Sequence, residues 1–285
     1  MPQLVALGSH QISAADGTGL HVVDYLLPPG QARGSVVIMH GLGEHCGRYQ
    51  HLAAFFNQCG LSVRCYDHRG HGRSEGRRGD VINGDPMLQD AQIVIEDFAG
   101  RFGTPSFLFG HSMGGLFAAR FALTRRAPLR GLMLSSPALA LRLTAAELRL
   151  LAAAERVVPW LGIPNGLDAS ALCHADSVVD AYRADPLVHS RISARLLRSM
   201  LNSIDDCQQR AATLSIPTLI QVAGSDRAVD PAGAQRFYEQ LPAGLAQLHV
   251  YQHMFHEIFN EPDGAIVFDD LRAWLHGPGG MAADR

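Results

Sequence analysis

Short runs rich in Val, Ile, Leu and Phe alternate along the chain with longer stretches whose apolar residues recur every three to four positions. Seven runs read as strands: Leu20 to Leu27, Ser35 to Met39, Leu61 to Tyr66, Ser106 to Phe109, Leu129 to Leu134, Pro217 to Val222 and Gln247 to Tyr251. Several, such as SVVIM and SFLF, are apolar almost throughout, as strands covered on both faces are. Helical patterns lie between them at Tyr49 to Gln58, Leu88 to Arg101, Met113 to Thr124, Ala232 to Gln240 and Ala265 to Leu275. Strand and helix in alternation predict an α/β fold with a parallel, doubly wound sheet.

From Ala138 to Arg210 the alternation stops, and only helical patterns remain, cut by Pro159, Pro164 and Pro186. The expected organisation is therefore a core made of residues 1–137 and 211–285, with a helical insertion at 138–210. Its first helix opens on Thr144-Ala-Ala-Glu147, a capping box that satisfies free backbone N–H groups from both ends, and it must stop before Pro159. Arg142, Arg149 and Arg156 share one face of this segment, while Leu143, Leu148, Leu150, Leu151, Val157 and Val158 cover most of the rest. One core contact does not use that much apolar surface. Either both apolar sides pack inside the insertion, or one faces an apolar substrate or a lipid surface as a lid.

Composition narrows the class further. Among 285 residues, 47% are hydrophobic and 18% charged, with 29 Gly and 15 Pro, which excludes disorder, collagen and coiled coil. The formal net charge is −3 and no stretch gathers Lys and Arg into a phosphate-tracking stripe, so nucleic acid is not an expected partner. Five widely spaced cysteines without a CxxC suggest neither a disulfide framework nor a zinc site, and a reducing cytoplasm fits them. The first residues lack the basic start and apolar run of a signal peptide, and no run reaches the ~18 apolar residues that span a bilayer.

The chemistry concentrates at Gly110-His111-Ser112-Met113-Gly114-Gly115, between the run SFLF and a helical pattern. GxSxG in this context is a nucleophile elbow: a serine on a tight strand-to-helix turn, with glycines where neighbouring backbones pass closely. An oxyanion hole needs the N–H after the nucleophile, here Met113, and one from the loop after an earlier strand. Leu42, in His40-Gly-Leu-Gly43 directly after SVVIM, is the candidate, with His40 as a structural hydrogen-bonder beneath the loop. A base and its orienting carboxylate follow in the order Ser, acid, His. Asp226 is the first carboxylate past PTLIQVAG; its competitor Asp230 precedes Pro231 and a helical pattern, where an N-cap explains it. His253 and His256 both follow the last strand, and His256, deeper in the loop, is the expected base.

These segments resemble the α/β-hydrolase fold serine hydrolases, and within them the monoacylglycerol lipases and related lysophospholipases. The resemblance rests on His40-Gly-Leu-Gly-Glu-His-Cys-Gly-Arg-Tyr49, Asp67-His-Arg-Gly-His-Gly-Arg-Ser74, Gly110-His-Ser-Met-Gly-Gly115, Asp185-Pro-Leu-Val-His189, Gly224-Ser-Asp226 and His256-Glu-Ile-Phe-Asn-Glu261. It implies a mostly parallel eight-stranded sheet with an inserted helical cap over an acyl channel. It also implies Ser112 as nucleophile, Asp226 as acid, His256 as base and the Leu42 and Met113 amides as oxyanion donors, with no cofactor or metal. Glu44, His45, Arg48 and Tyr49 read first as residues that fix the loop. The implied substrate is a lipid ester, most simply a monoacylglycerol, with the cap touching a membrane surface transiently. A lysophospholipase, a general carboxylesterase and a non-catalytic lipid-binding protein on the same fold are the alternatives.

Overall fold

The structure is a computed structural model that describes residues 8–82 and 85–277. Its main sheet contains β1 (Gly8–Ser13), β2 (Gly19–Tyr25), β3 (Gly34–Met39), β4 (Leu61–Tyr66), β5 (Ser106–His111), β6 (Leu129–Ser135), and two later strands, β9 (Thr218–Ala223) and β10 (Ala246–Tyr251). Their spatial order is β1-β2-β4-β3-β5-β6-β9-β10. The first two strands pair antiparallel, β2 runs antiparallel to β4, and every other neighbouring pair is parallel.

All seven strands expected from the pattern are present, and the eighth is β1, whose sequence GSHQIS carries one large apolar residue. It lies at the edge with mostly exposed side chains, so the apolar signal that marks the central strands is missing there.

Period-two alternation in the central strands divides the core. Val37, Met39, Leu108, Leu132, Leu134 and Ile220 face α2 (Pro86–Gly100) and α3 (Met113–Thr124). Val36, Ile38, Phe107, Phe109, Met133 and Leu219 face α1 (Gln50–Gln58) and α8 (Ala265–His276), where Trp274 is buried. Both faces are covered, which is why these strands read as continuous apolar runs.

Between β6 and β9 lie α4 (Ala145–Val157), β7 (Gly162–Pro164), α5 (Asp176–Ala184), β8 (Arg191–Ser193) and α6 (Ala194–Arg210). The Thr144–Glu147 capping box forms as expected, and α4 ends two residues before Pro159. The expectation of no strand in this stretch is corrected by β7 and β8, which pair antiparallel over three residues each, too short to leave a periodic pattern. Leu196, Met200 and Cys207 of α6 join the same buried cluster as Leu116 and Ala119 of α3, so this helix fastens the stretch between β6 and β9 to the sheet's flanking layer. After β9, α7 (Pro231–Glu239) returns the chain to β10.

Candidate active site

The parallel strands end on one side of the sheet, and the residues singled out by sequence gather there, as ligand sites do in open α/β sheets. Ser112 follows β5 directly and opens α3. Its backbone sits at φ 55°, ψ −120°, outside the regions an L-residue prefers, at a cost of about 1–3 kcal/mol. The surroundings enforce that conformation. Its N–H donates to Ser135 O at 3.0 Å, and its carbonyl accepts the N–H groups of Leu116 and Ala138, each at 3.0 Å. A Cβ on Gly114 would stand 2.2 Å from the carbonyl oxygen of Met39, and one on Gly110 would stand 2.5 Å from that of Gly114. Only glycine at those two positions lets the turn close against β3.

His256 lies in the loop after β10 and Asp226 in the loop after β9. His256 Nε2 is 2.8 Å from Ser112 Oγ, and its Nδ1 is 2.7 Å from Asp226 Oδ2. With the Nδ1 proton donated to the carboxylate, Nε2 is free to accept from the serine hydroxyl. The other Asp226 oxygen, Oδ1, accepts the N–H groups of Ala228 and Val229 at 2.8 and 3.0 Å, which fixes the carboxylate plane. Burial disfavours an ionised Asp226, yet the facing imidazole and these hydrogen bonds lower its pKa net. Burial likewise works against a charged His256, but the Asp226 charge and hydrogen bond outweigh it and raise its pKa above the ordinary 6.5.

That sign gives a pH prediction. In the proposed role of general base His256 works only as neutral imidazole, so kcat/KM should rise with pH through a midpoint above 6.5, and Asp226→Asn should move that midpoint down. A pH–rate profile of both proteins checks it.

Asp230 caps α7, its side chain accepting the Ala232 N–H at 3.1 Å, and does not reach His256. His253 is exposed on the turn after β10. Leu42 and Met113 both line the cavity above Ser112. Among the described residues no acceptor takes the Leu42 N–H, and the Met113 N–H belongs to the free first turn of α3. The loop carrying Leu42 presses close: a Cβ on Gly41 would lie 3.2 Å from Ser112 Cβ. His40 is buried under it, its Nδ1 2.8 Å from Gly41 O and its Nε2 accepting the His68 N–H at 2.9 Å.

Some neighbours had no sequence signal. The His111 ring lies tilted against the His256 ring, 4.7 Å between centroids, and its Nδ1 lies 3.0 Å from Ser135 Oγ. Burial and the nearby His256 lower its pKa to about 4, so it adds no positive charge beside that imidazole at neutral pH. Arg142 donates to the Asp226 carbonyl oxygen from the entrance to α4. Only the x position of GxSxG marked His111, and that position tolerates many side chains.

The cavity above Ser112 has a volume of about 520 Å³. Leu150, Leu151 and Ala154 of α4 line it together with Leu197 and Met200 of α6 and Val229. Within α4 only Leu151 is buried, while Leu148, Leu150 and Val157 are exposed. The apolar sides of this helix are therefore not packed inside the inserted segment; one of them walls the cavity. Arg142 and Arg227 are the basic residues among the lining.

His21, Cys46 and Asp67 place potential metal ligands within 4.8 Å of one another. The Asp67 carboxylate is already held by the N–H groups of Cys46 and Arg73, both at 2.7 Å, so this group reads as a loop fastening.

A family profile described as Serine aminopeptidase, S33, matches residues 30–263. The chain belongs to that family. A monoacylglycerol lipase of Mycolicibacterium smegmatis is 34% identical over 271 residues, covering 93% of this chain and 96% of that protein. The phospholipase YtpA of Bacillus subtilis is 31% identical over 243 residues, covering 84% of this chain and 93% of its own length. A crystal structure of Paleococcus ferrophilus monoacylglycerol lipase superposes with a TM-score of 0.81 at 34% identity, covering 90% of this chain and 98% of the other. The fold is the α/β-hydrolase fold expected from the sequence.

Proposed function

We propose that this chain is a serine hydrolase that cleaves carboxylic esters of lipids, with a monoacylglycerol giving fatty acid and glycerol as its reaction. The observation that carries the proposal is the hydrogen-bonded line from Asp226 through His256 to Ser112 at the floor of an apolar cavity. In this reading His256 takes the Ser112 proton as Oγ attacks the ester carbonyl, and Asp226 orients and stabilises the imidazolium. The Leu42 and Met113 N–H groups hold the oxyanion. His256 then protonates the departing glycerol oxygen, and in the second half-reaction it activates water to release the acid from the acyl-enzyme. No step calls for a cofactor or metal.

The cavity volume falls within the ~300–1,000 Å³ usual for small-molecule sites, and each substrate CH₂ buried in it contributes about 0.8 kcal/mol. Residues 138–210 would act as the cap, with α4 as its apolar wall. Leu148, Leu150, Val157, Trp160, Leu161 and Ile163 are exposed on this segment, and Leu150, Leu161 and Ile163 also line the cavity, an apolar surface suited to transient contact with a lipid surface. Among the described residues no helix is long and apolar enough to cross a membrane. The buried, unpaired cysteines fit a reducing, cytoplasmic setting.

A lysophospholipid is the second reading, favoured by Arg142 and Arg227 in the cavity lining, where a phosphate would find cations. Fatty-acid release from a panel of monoacylglycerols, lysophospholipids and short nitrophenyl esters separates the cases. We expect kcat/KM for long-chain monoacylglycerols to exceed the others by at least about tenfold. Preference for lysophospholipids would shift the assignment to the second reading, and preference for short esters would leave a general esterase.

A further inference from the structure

Arg48 lies just past the oxyanion loop, in a 3-10 turn (Cys46–Tyr49), and only 12% of its side chain is exposed. Its Nη1 donates to Glu44 Oε2 at 2.6 Å and to Glu257 Oε1 at 2.7 Å, while Nη2 donates to Glu257 Oε2 at 2.8 Å. Each carboxylate has further partners besides Arg48. Glu44 Oε1 accepts the Gly41 N–H and the Tyr49 hydroxyl, both at 2.6 Å. Glu257 Oε2 accepts from Asn260 Nδ2 at 2.8 Å, and the Glu257 N–H donates to Leu172 O at 2.8 Å. The ring of Tyr182, from α5, covers the guanidinium at 4.8 Å.

The two ends of this network have a common property. Gly41 immediately precedes Leu42, the proposed oxyanion donor, and Glu257 immediately follows His256, the proposed base. From this geometry, and resting on the serine-hydrolase reading above, we propose that Arg48 is a positioning residue: it braces the oxyanion loop against the histidine loop so that donor and base keep their places around Ser112.

Three physical points support this. A planar guanidinium presents donors along two edges at once, which a lysine ammonium on a flexible stem does not, so the bridge needs arginine. Burying one cation between two carboxylates is costly, and apolar packing of similar volume would serve stability at least as well, so stability alone is a weak reason for the arrangement. Each end of the span is bonded to, or carried by, the residue adjoining Leu42 or His256, so a loosened contact at either carboxylate transmits directly to that neighbour. Displacements of about 1 Å at such positions cost on the order of a hundredfold in rate.

The charges give a second signature. The ionisable groups around His256 are Asp226, Glu257, Glu44, Arg48 and His111. Burial opposes ionisation of Glu44, but the Arg48 charge, with smaller contributions from His111, His40 and the Tyr49 hydroxyl, outweighs it and holds the carboxyl at about 2. Removing Arg48 leaves Glu257, the carboxylate next to His256, without its counter-charge, which favours the protonated form of His256 and moves the acid limb of the rate profile to higher pH.

The test compares wild type with Arg48→Met, Arg48→Lys and the double variant Arg48→Met/Glu257→Gln. Rates are expressed per active site titrated with a fluorophosphonate, so that unfolded protein does not count. For Arg48→Met we expect kcat to fall about tenfold to a hundredfold with KM within about a factor of three, together with an acid limb displaced upward. Arg48→Lys keeps the charge, so its limb should stay near wild type while kcat falls. In the double variant the limb should return toward wild type and kcat should stay low, because one charge is gone and the brace is still missing. Wild-type kcat per titrated site in Arg48→Lys or Arg48→Met would overturn the proposal, as would a fall in kcat without the upward displacement in Arg48→Met. Turnover surviving in a Ser112→Ala control would instead overturn the serine reading itself, and this inference with it.

Discussion

Ser112→Ala should lower kcat by more than about 10⁴-fold while leaving the cavity and substrate binding in place. The alanine retains the Cβ, so the turn at φ 55° and its hydrogen bonds to Ser135, Leu116 and Ala138 have no reason to change. What disappears is the oxygen 2.8 Å from His256 Nε2. His256→Ala should be nearly as damaging, because a serine hydroxyl without its base is a weak nucleophile at neutral pH, and the two losses together should cost little more than either alone. Steady-state release of fatty acid from a monoacylglycerol, with thermal unfolding as the control for folding, checks both variants. A residual rate above about a tenth of wild type in either one would contradict the assignment.

The second large effect separates two carboxylates four residues apart. Asp226→Asn should cost about 10⁴-fold in kcat, since an amide donating toward His256 Nδ1 favours the tautomer in which Nε2 carries the proton and no longer accepts from Ser112. Asp230→Asn should leave kcat within about threefold, because asparagine caps a helix about as well as aspartate and the side chain contacts neither Ser112 nor His256. The same kinetic assay on both variants decides it. Equal losses, or a larger loss at Asp230, would transfer the acid role away from Asp226.

Much of this site was legible in the sequence because its parts are local. The elbow around Ser112 needs glycine at 110 and 114 for reasons of backbone contact that any sequence with that turn must satisfy. Asp226 and His256 could be placed because each follows a recognisable strand, and the N-cap explanation for Asp230 came from its neighbour Pro231. The unreadable parts are of two kinds. Strands β1, β7 and β8 are edge or three-residue elements, and polar or very short segments carry no apolar period. The bridge from Arg48 to Glu257 joins residues 209 positions apart, and His111 against His256 is also a tertiary contact; nothing local announces either. Glu44 and Arg48 were readable as loop-fixing residues, but their second function at the far loop exists only once the sheet has brought β3 and β10 to the same side of the molecule.

The insertion shows the same division. Its capping box at Thr144 was readable because the two residues that make it are three apart. Whether the apolar faces of α4 pack inward or wall a cavity depended on where α6 runs, and α6 is held by Leu196, Met200 and Cys207 against α3. Sequence periodicity marks such a helix as amphipathic without saying which neighbour takes its apolar side.

The most direct test of the account is to catch the covalent intermediate. The enzyme is mixed with a long-chain monoacylglycerol, quenched in acid within the first turnover, digested and analysed by mass spectrometry. An acyl-enzyme at Ser112 should release about one glycerol per active site ahead of fatty acid, with the acyl mass on the peptide bearing Ser112. Fatty acid and glycerol appearing together with no acylated peptide, or an acyl group carried on another residue, would contradict it.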